Sequence, residues 1–408
     1  MADQPNAVAA RFVDAADSVQ RFCPTRRQVL LGAGALLGIT AAGSTPVLRS
    51  AFASVARMVN PAVGVVAPNA ARYPGLLNEL ADGVRSGLAA AGQPNAPVFA
   101  RTAASSAPSS VAAAARALVE HEKVDLVLVY ANPTQTQLLG ELAEETGVPV
   151  VVVDPGAHIV TSADADSRVL SHSLGYWQST WELGSWSAQG VGPDAYMISS
   201  LYESGFDVLN AFEHGLNAAG GRIVGTSITH LGPGDVAAAV SKAAASDADS
   251  LFVACSGAEA DDILAAIATD KAASAMHLLV PGIASDRLAA APGVTATTAL
   301  TWPTTDSSVF EMLGRDIGEL VAAAVDGGAD ALPAGETTFD SARGKITLDL
   351  ATGRTDVAVT IQSATAGGSG VTYTQVAAAG STARASALAD QIVPELRTGW
   401  LDVYGSSM

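Results

Sequence analysis

At 408 residues, 49% hydrophobic and 15% charged, the chain has enough apolar material for two cored domains and too little charge for extended disorder. Its formal net charge is −18, and the first 53 residues set five arginines against only three aspartates, so the rest is more acidic still. Such a body is repelled by phosphate backbones, which argues against nucleic acid as a partner.

The chain opens with Thr25-Arg26-Arg27-Gln28-Val29-Leu30-Leu31, twin arginines ahead of an apolar Gly/Ala-rich run that ends near Ala42. The run is short for a bilayer span. Ala51-Phe52-Ala53 offers a small-x-small cleavage site. Residues 1–53 therefore resemble a twin-arginine (Tat) signal peptide, which implies passage through the Tat translocon to a periplasmic or extracellular location. Cleavage there removes Cys23 and leaves Cys255 alone, so the exported protein has no internal disulfide to form. Cys255 follows a strand-like run and reads as a small buried apolar residue.

From Ala62 the pattern alternates strand and helix. Ala62–Ala67 reads as a strand and Leu76 to about Ala91 as a helix with Leu76, Leu80, Val84 and Leu88 on one face. A short strand at Pro97–Ala100 and a helix at Val111–Val119 follow. Val124–Tyr130, almost wholly apolar, and Val148–Val153 do not alternate, the mark of strands buried on both faces of a parallel sheet. Between them Leu138, Leu139, Leu142 and Ala143 recur at helical spacing, with Gly147 as the C-cap. A strand near Arg168–His172 precedes a Trp-rich helix in which Trp177 and Trp181 share a face, read as core packing.

The rhythm then restarts. Strands are expected at Ala195–Ser199, Arg222–Ile228, Leu251–Cys255 and His277–Val280, and helices at Phe206–Ala219, Val236–Ala245 and Asp261–Ala268. Thr298–Trp302 leads to a helix at Val309–Val325. After a Gly/Pro/Ala-rich break at residues 327–335, Lys345–Leu350, Val357–Ile361 and Val371–Val376 read as antiparallel strands, with turns at Gly353 and Gly367-Gly368. The tail, residues 383–408, carries one helix ended by Pro394 or Gly399, with Trp400 as a docking residue. The fold class is α/β: two Rossmann-like lobes with mostly parallel sheets, repeated once at the level of the lobe.

Catalytic sets are absent. No dinucleotide or P-loop glycine pattern, no nucleophile elbow and no close histidine spacing for a metal occurs, so no enzyme, cofactor or metal is expected. What stands out is a set of polar and small residues at strand ends: Asn132, Thr134, Thr136 and His158 in the first half, Tyr202, Ser256 and Glu259 in the second. Open α/β sheets bind ligands at the carboxyl ends of their strands, and helix N-termini near Thr134 and Ala258 offer free backbone N–H groups.

Four segments carry a resemblance to a known family. Tyr202-Glu203-Ser204-Gly205-Phe206 resembles a Y-G-x-G segment, Val153-Asp154-Pro155-Gly156-Ala157-His158 an S-P-A-A-T loop, Thr136-Gln137 the end of an S-S-S-T-Q run, and Phe339-Asp340-Ser341-Ala342-Arg343-Gly344-Lys345-Ile346 an F-D-G-x-x-G-x-(V/I) turn. Together they resemble the type I periplasmic binding proteins, specifically the branched-chain amino-acid (Leu/Ile/Val) receptors of ABC transporters, over about residues 61–376. The resemblance implies two lobes, residues 61–174 plus 303–335 and residues 175–302 plus 336–380, joined by a multi-crossover hinge and followed by a tail from 381. It implies a small-molecule solute and an ABC permease as partners. It also implies that Ala131, Asn132, Thr134, Gly156, Ala157 and His158 hold the carboxylate-like end of the solute. Tyr73 and Tyr202 then close over it, and Ser256 and Gly257 line the far wall. The family's acidic partner for an α-ammonium falls near Gly282-Ile283-Ala284, where nothing is acidic, leaving Glu259 as a substitute. The implied solute is thus amino-acid-like, an amide or a carboxylate. A ligand-sensing regulator of the same fold, and less readily an α/β enzyme, are the alternatives.

Overall fold

A computed structural model of the chain describes residues 52–56, 58–164, 166–230, 233–302, 308–327, 336–349, 352–367, 370–391 and 398–405. The segment read as a signal peptide, all but Phe52 and Ala53, and the expected break beyond Gly327 lie outside them. The described residues belong to one compact unit, Gly43–Met408.

The first half is built from β1 (Val63–Pro68), α1 (Leu76–Ala90), β2 (Val98–Ala103), α2 (Pro108–Ala117), β3 (Leu126–Tyr130), α3 (Gln137–Thr146), β4 (Val150–Asp154) and β5 (Leu170–Ser173). The second half begins with α4 (Tyr176–Gly190), β6 (Asp194–Ser200), α5 (Val208–Ala218), β7 (Arg222–Thr229) and α6 (Pro233–Ala244). It continues with β8 (Ser250–Ala254), α7 (Gly257–Thr269), β9 (His277–Leu279) and β10 (Thr295–Leu300). Strand order is β2-β1-β3-β4-β5 in one sheet and β7-β6-β8-β9-β10 in the other, every neighbour parallel. The same doubly wound order thus occurs twice. In each sheet the order reverses direction beside the first strand, between β1 and β3 and between β6 and β8, and a crevice opens there at the strands' carboxyl ends.

α8 (Val309–Gly327) returns to the first half and crosses α1. Glycines permit the close approach: a Cβ on Gly83 would lie 2.0 Å from the Glu311 carbonyl oxygen, and one on Gly314 2.0 Å from that of Leu80. The remaining elements are β11 (Glu336–Ser341), β12 (Gly344–Asp349), β13 (Arg354–Gly367), β14 (Gly370–Ser381) and α9 (Thr382–Ala389). β13 starts beside β5 and β12 and runs on beside β10 and β14, so one strand serves both sheets.

Two expectations are corrected here. Residues 336–349 extend the first sheet, not the second lobe, because Phe339, Ile346 and Leu348 bury in the first core with α1 and α8. Leu138 is 38% exposed; the buried face of α3 is Leu139, Gly140, Leu142 and Ala143. Trp177 and Trp181 are buried edge to face in a small core with α9, as core packing requires. Cys255 is fully buried. Phe52 and Val55 are also fully buried in the first core, so cleavage after Ala53 takes Phe52 out of that core.

Behind the strand ends a charged cluster ties the crossovers together. Asp316 on α8 accepts from His172 Nε2–H at 2.8 Å, Arg343 Nη1 at 2.7 Å and the Ser341 hydroxyl. Arg343 also donates to the carbonyl oxygens of Ser173 and Thr301, the residues where the chain leaves β5 and β10. The Phe339–Ile346 turn is therefore anchored to both crossovers through one buried guanidinium.

Candidate ligand cleft

The loop after β1 and the start of α8 face the loops after β8 and β9. Between them lies a cavity of about 590 Å³ lined from the first half by Tyr73, Glu79 and Phe310 and from the second by Ser256, Gly257, Gly282, Asp286 and Arg287. The volume suits a small solute. Arg72 spans the gap, its guanidinium 2.9 Å from Glu259 and stacked 3.9 Å over the Tyr202 ring. Both partners are part exposed, so the pair contributes on the order of 1 kcal/mol or less and can open at little cost.

The deeper part of the cleft is occupied by the chain itself. Residues 398–405 enter it and bury Tyr404 and Leu401. The Tyr404 hydroxyl donates to Glu203 Oε1 at 2.7 Å, beside the Tyr176 hydroxyl, which donates to Oε2 at 3.1 Å. Tyr130 donates its hydroxyl to the Tyr404 carbonyl at 2.9 Å, and the Gly405 N–H donates to the Tyr202 hydroxyl. His158 Nε2–H donates to the Asp402 carbonyl at 2.8 Å. The rings of Tyr73, Tyr176, Tyr202 and Phe206 surround the Tyr404 ring. Asp207 Oδ1 accepts from the N–H groups of Thr398 and Gly399. Burial raises the Glu203 carboxyl pKa, while the nearby hydroxyls of Ser256, Tyr404 and Tyr176 oppose the rise. Burial and then the Glu203 carboxylate push the Tyr404 phenol far above its ordinary value, so it stays a donor.

The periplasmic binding protein family model matches residues 103–314, just over half of the chain, from the end of β2 into α8. The chain belongs to the periplasmic binding protein family. No curated protein matches it in sequence. Among solved structures, an ABC transporter substrate-binding protein from Sphaerobacter thermophilus superposes with a TM-score of 0.62 at 17% identity, over 78% of this chain and 96% of that one. A solute-binding protein from Rhodopseudomonas palustris BisB5, in complex with 3,4-dihydroxybenzoic acid, gives 0.58 at 20% identity over 78% and 96%. A leucine-binding protein from Thermotoga maritima MSB8 gives 0.55 at 15% over 78% and 98%. These likenesses establish the fold, and the branched-chain amino-acid receptors named by the sequence resemblance are among the proteins that share it.

In this periplasmic binding protein the residues singled out in the sequence do not all meet. Tyr73, Ser256 and Gly257 line the open cavity. His158 and Tyr202 contact the tail-filled part, and Ala157 supports it through its carbonyl, which accepts from Asp207 N–H; Gly156, at φ +88°, lines a separate hollow with Asp154, His172 and Trp177. Ala131 is buried. Asn132 spends its Oδ1 on the backbone and hydroxyl of Thr134, as a turn residue. Thr134 lines a separate surface hollow with Gln135, Thr136 and Gln137. Glu259 is paired with Arg72, not left for an ammonium. Trp400 is 55% exposed; Tyr404 is the tail's docking residue. α9 ends at Ala389, before Pro394 and Gly399. Sequence reasoning passed over Arg72, Tyr130, Tyr176, Glu203, Asp207 and Tyr404. Of these only Glu203 stood in a segment that carried the resemblance, beside Tyr202.

Proposed function

We propose that the chain is the exported substrate-binding component of an ABC transporter. It captures a small polar solute between its two halves and presents it to a permease. The observation that carries this reading is the cavity of about 590 Å³ at the carboxyl ends of both sheets, lined from both halves. Solutes held that way couple binding to closure, since each half supplies part of the contact surface. Tyr73, Ala157, His158, Tyr202, Ser256 and Gly257 are the members of the sequence-derived set that we keep at or beside this cleft.

The relatives of this fold include a protein solved with a dihydroxybenzoic acid and one described as leucine-binding. We take a small carboxylate, amide or amino-acid-like compound as the solute class. Arg287 at the cavity wall donates to Asp261 at 2.5 Å and can swing toward an anion. Export through the Tat route rests on Arg26 and Arg27. Replacing both by Lys is expected to trap the precursor in the cytoplasm, and unchanged export would remove the Tat assignment.

The experiment for the main reading is a thermal-shift and calorimetry screen against amino acids, amides and aromatic and aliphatic carboxylates. A true solute binds one to one, is recovered unchanged, and at 100-fold over its Kd adds about 2.7 kcal/mol. Turnover of a bound compound, or no binding across the screen, would overturn the reading.

A further inference from the structure

The tail's contacts have the form of a ligand's. Residues 402–405 take hydrogen bonds from, or give them to, Tyr130 at the end of β3, His158 after β4, and Tyr202 and Glu203 after β6. These are strand-end positions from both halves, the places where this kind of sheet holds a ligand. The Tyr404 side chain fills an aromatic box whose floor is a buried carboxylate. A buried carboxylate needs donors to remain there. Two of its donors, Tyr176 and Tyr404, are phenols, and only Tyr404 comes from a segment outside the repeated lobes.

Upstream of this anchor the tail is held by the Asp207 carboxylate, which takes the N–H groups of Thr398 and Gly399, and by the buried Leu401 and Val403. Trp400, next to Leu401, is mostly exposed. Its backbone N–H and that of Leu401 share one acceptor, the Gly205 carbonyl. The open cavity lies against the same wall, since Tyr73 both lines that cavity and stacks on Tyr404.

We propose that residues 398–405 are a tethered competitor seated in the solute site, and that the solute that displaces them bears a phenol in the position of the Tyr404 side chain. This rests on the solute-binding reading above. A chain whose competent state is only partly populated binds with its affinity reduced by that fraction. The tail therefore sets a threshold concentration for capture, and a solute that cannot donate to Glu203 does not evict it.

The test uses the full chain and two probes, N-acetyl-tyrosinamide and N-acetyl-phenylalaninamide, which differ by the phenol hydroxyl. Binding is measured by calorimetry on the wild type, Tyr404→Ala and Tyr404→Phe, with hydrogen exchange of residues 398–405 as a second readout. Tyr404→Ala is expected to bind the tyrosine probe at least about tenfold more tightly than the wild type, with Tyr404→Phe between them. The phenylalanine probe is expected to bind at least about tenfold more weakly, the effect of one hydrogen bond to a carboxylate. Saturating the wild type with the tyrosine probe is expected to speed exchange in the tail. Should Tyr404→Ala fail to fold, Tyr404→Phe and the wild-type exchange carry the test.

Unchanged tail exchange at saturation, with equal affinities in the wild type and the variants, would make the tail a structural plug and overturn the proposal. Equal binding of the two probes would overturn the phenol assignment. A carboxylate or amino acid from the wider screen that binds the wild type without moving the tail would refute this proposal while leaving the solute-binding function standing. No binding by any compound to any variant would remove both.

Discussion

Arg343 and Asp316 are 27 residues apart in sequence and meet at 2.7 Å with both side chains essentially excluded from water. Burial by itself would raise the Asp316 pKa. The Arg343 charge and the hydrogen bonds from His172 and Ser341 outweigh it and hold the carboxyl at about 2. Because Arg343 also holds the chain exits after β5 and β10, this pair fixes the base on which the two halves sit.

Removing one partner leaves the other charged and buried. Asp316→Asn is expected to cost about 3–5 kcal/mol of unfolding free energy, read from urea denaturation. The pH dependence has a definite sign. The folded pKa lies below the unfolded one, so the contribution is complete above about pH 4 and is lost as pH falls toward 2. A wild-type chain whose stability did not fall more steeply there than that of Asp316→Asn would refute the role given to the pair.

Asp154, at the end of β4, shows the opposite behaviour. Burial lifts its carboxyl to about 7, against weaker help from the backbone N–H groups of Gly156 and Ala157. The folded chain then holds a proton that the unfolded chain has lost, so stability falls as pH rises from about 4 to 7. Each pKa unit is worth about 1.4 kcal/mol. Asp154→Asn is expected to flatten the stability profile in that window by an amount on the order of a few kcal/mol. Some slope remains, because burial lifts Glu182 to about 7 as well. Parallel profiles for wild type and variant would contradict the assignment.

The α1–α8 crossing depends on missing side chains. Gly83→Ala places a Cβ 2.0 Å from the Glu311 backbone oxygen, which neither helix can yield without separating. The expected loss is about 1–3 kcal/mol, visible as a lower Tm. Gly234→Ala, at the exposed start of α6 where an added Cβ meets nothing, serves as the control. It is expected to be neutral or slightly stabilising through the unfolded chain. Equal Tm shifts in the two variants would show that the crossing is not glycine-limited.

His158 contacts the tail, with its ring edge-on to Phe206 and its Nε2–H on the Asp402 carbonyl. His158→Ala is expected to cost about 1 kcal/mol for the hydrogen bond and to speed exchange in residues 400–405 more than elsewhere. An unchanged tail with a uniformly faster core would assign the ring to packing alone.

Much of this architecture is written locally. The almost wholly apolar, β-branched runs at Val124–Tyr130 and Val148–Val153 read as strands buried on both faces, and parallel strands of that kind need crossovers, usually helices, between them. Two rounds of that pattern determine two sheets, and strand ends determine where the crevice lies. Glycines at helix ends mark the boundaries, as Gly147 does at φ +69°. The twin-arginine reading of residues 1–53, too, rests on short-range pattern.

What the sequence could not decide is which distant segments share the crevice. Glu203 and Tyr404 are 201 residues apart, and nothing periodic links an irregular tail to a loop after β6. A lone tyrosine near the terminus reads like Trp400 four residues earlier, yet one is buried and the other exposed. Only the packed halves create the aromatic box and the buried carboxylate that choose between them. The same holds for β13: alternation predicts a strand but not that its 14 residues outrun one sheet and join the next. Local pattern is set by each residue's own burial preference, whereas pairing across the cleft is set by shape and hydrogen-bond demand that exist only once both halves have folded.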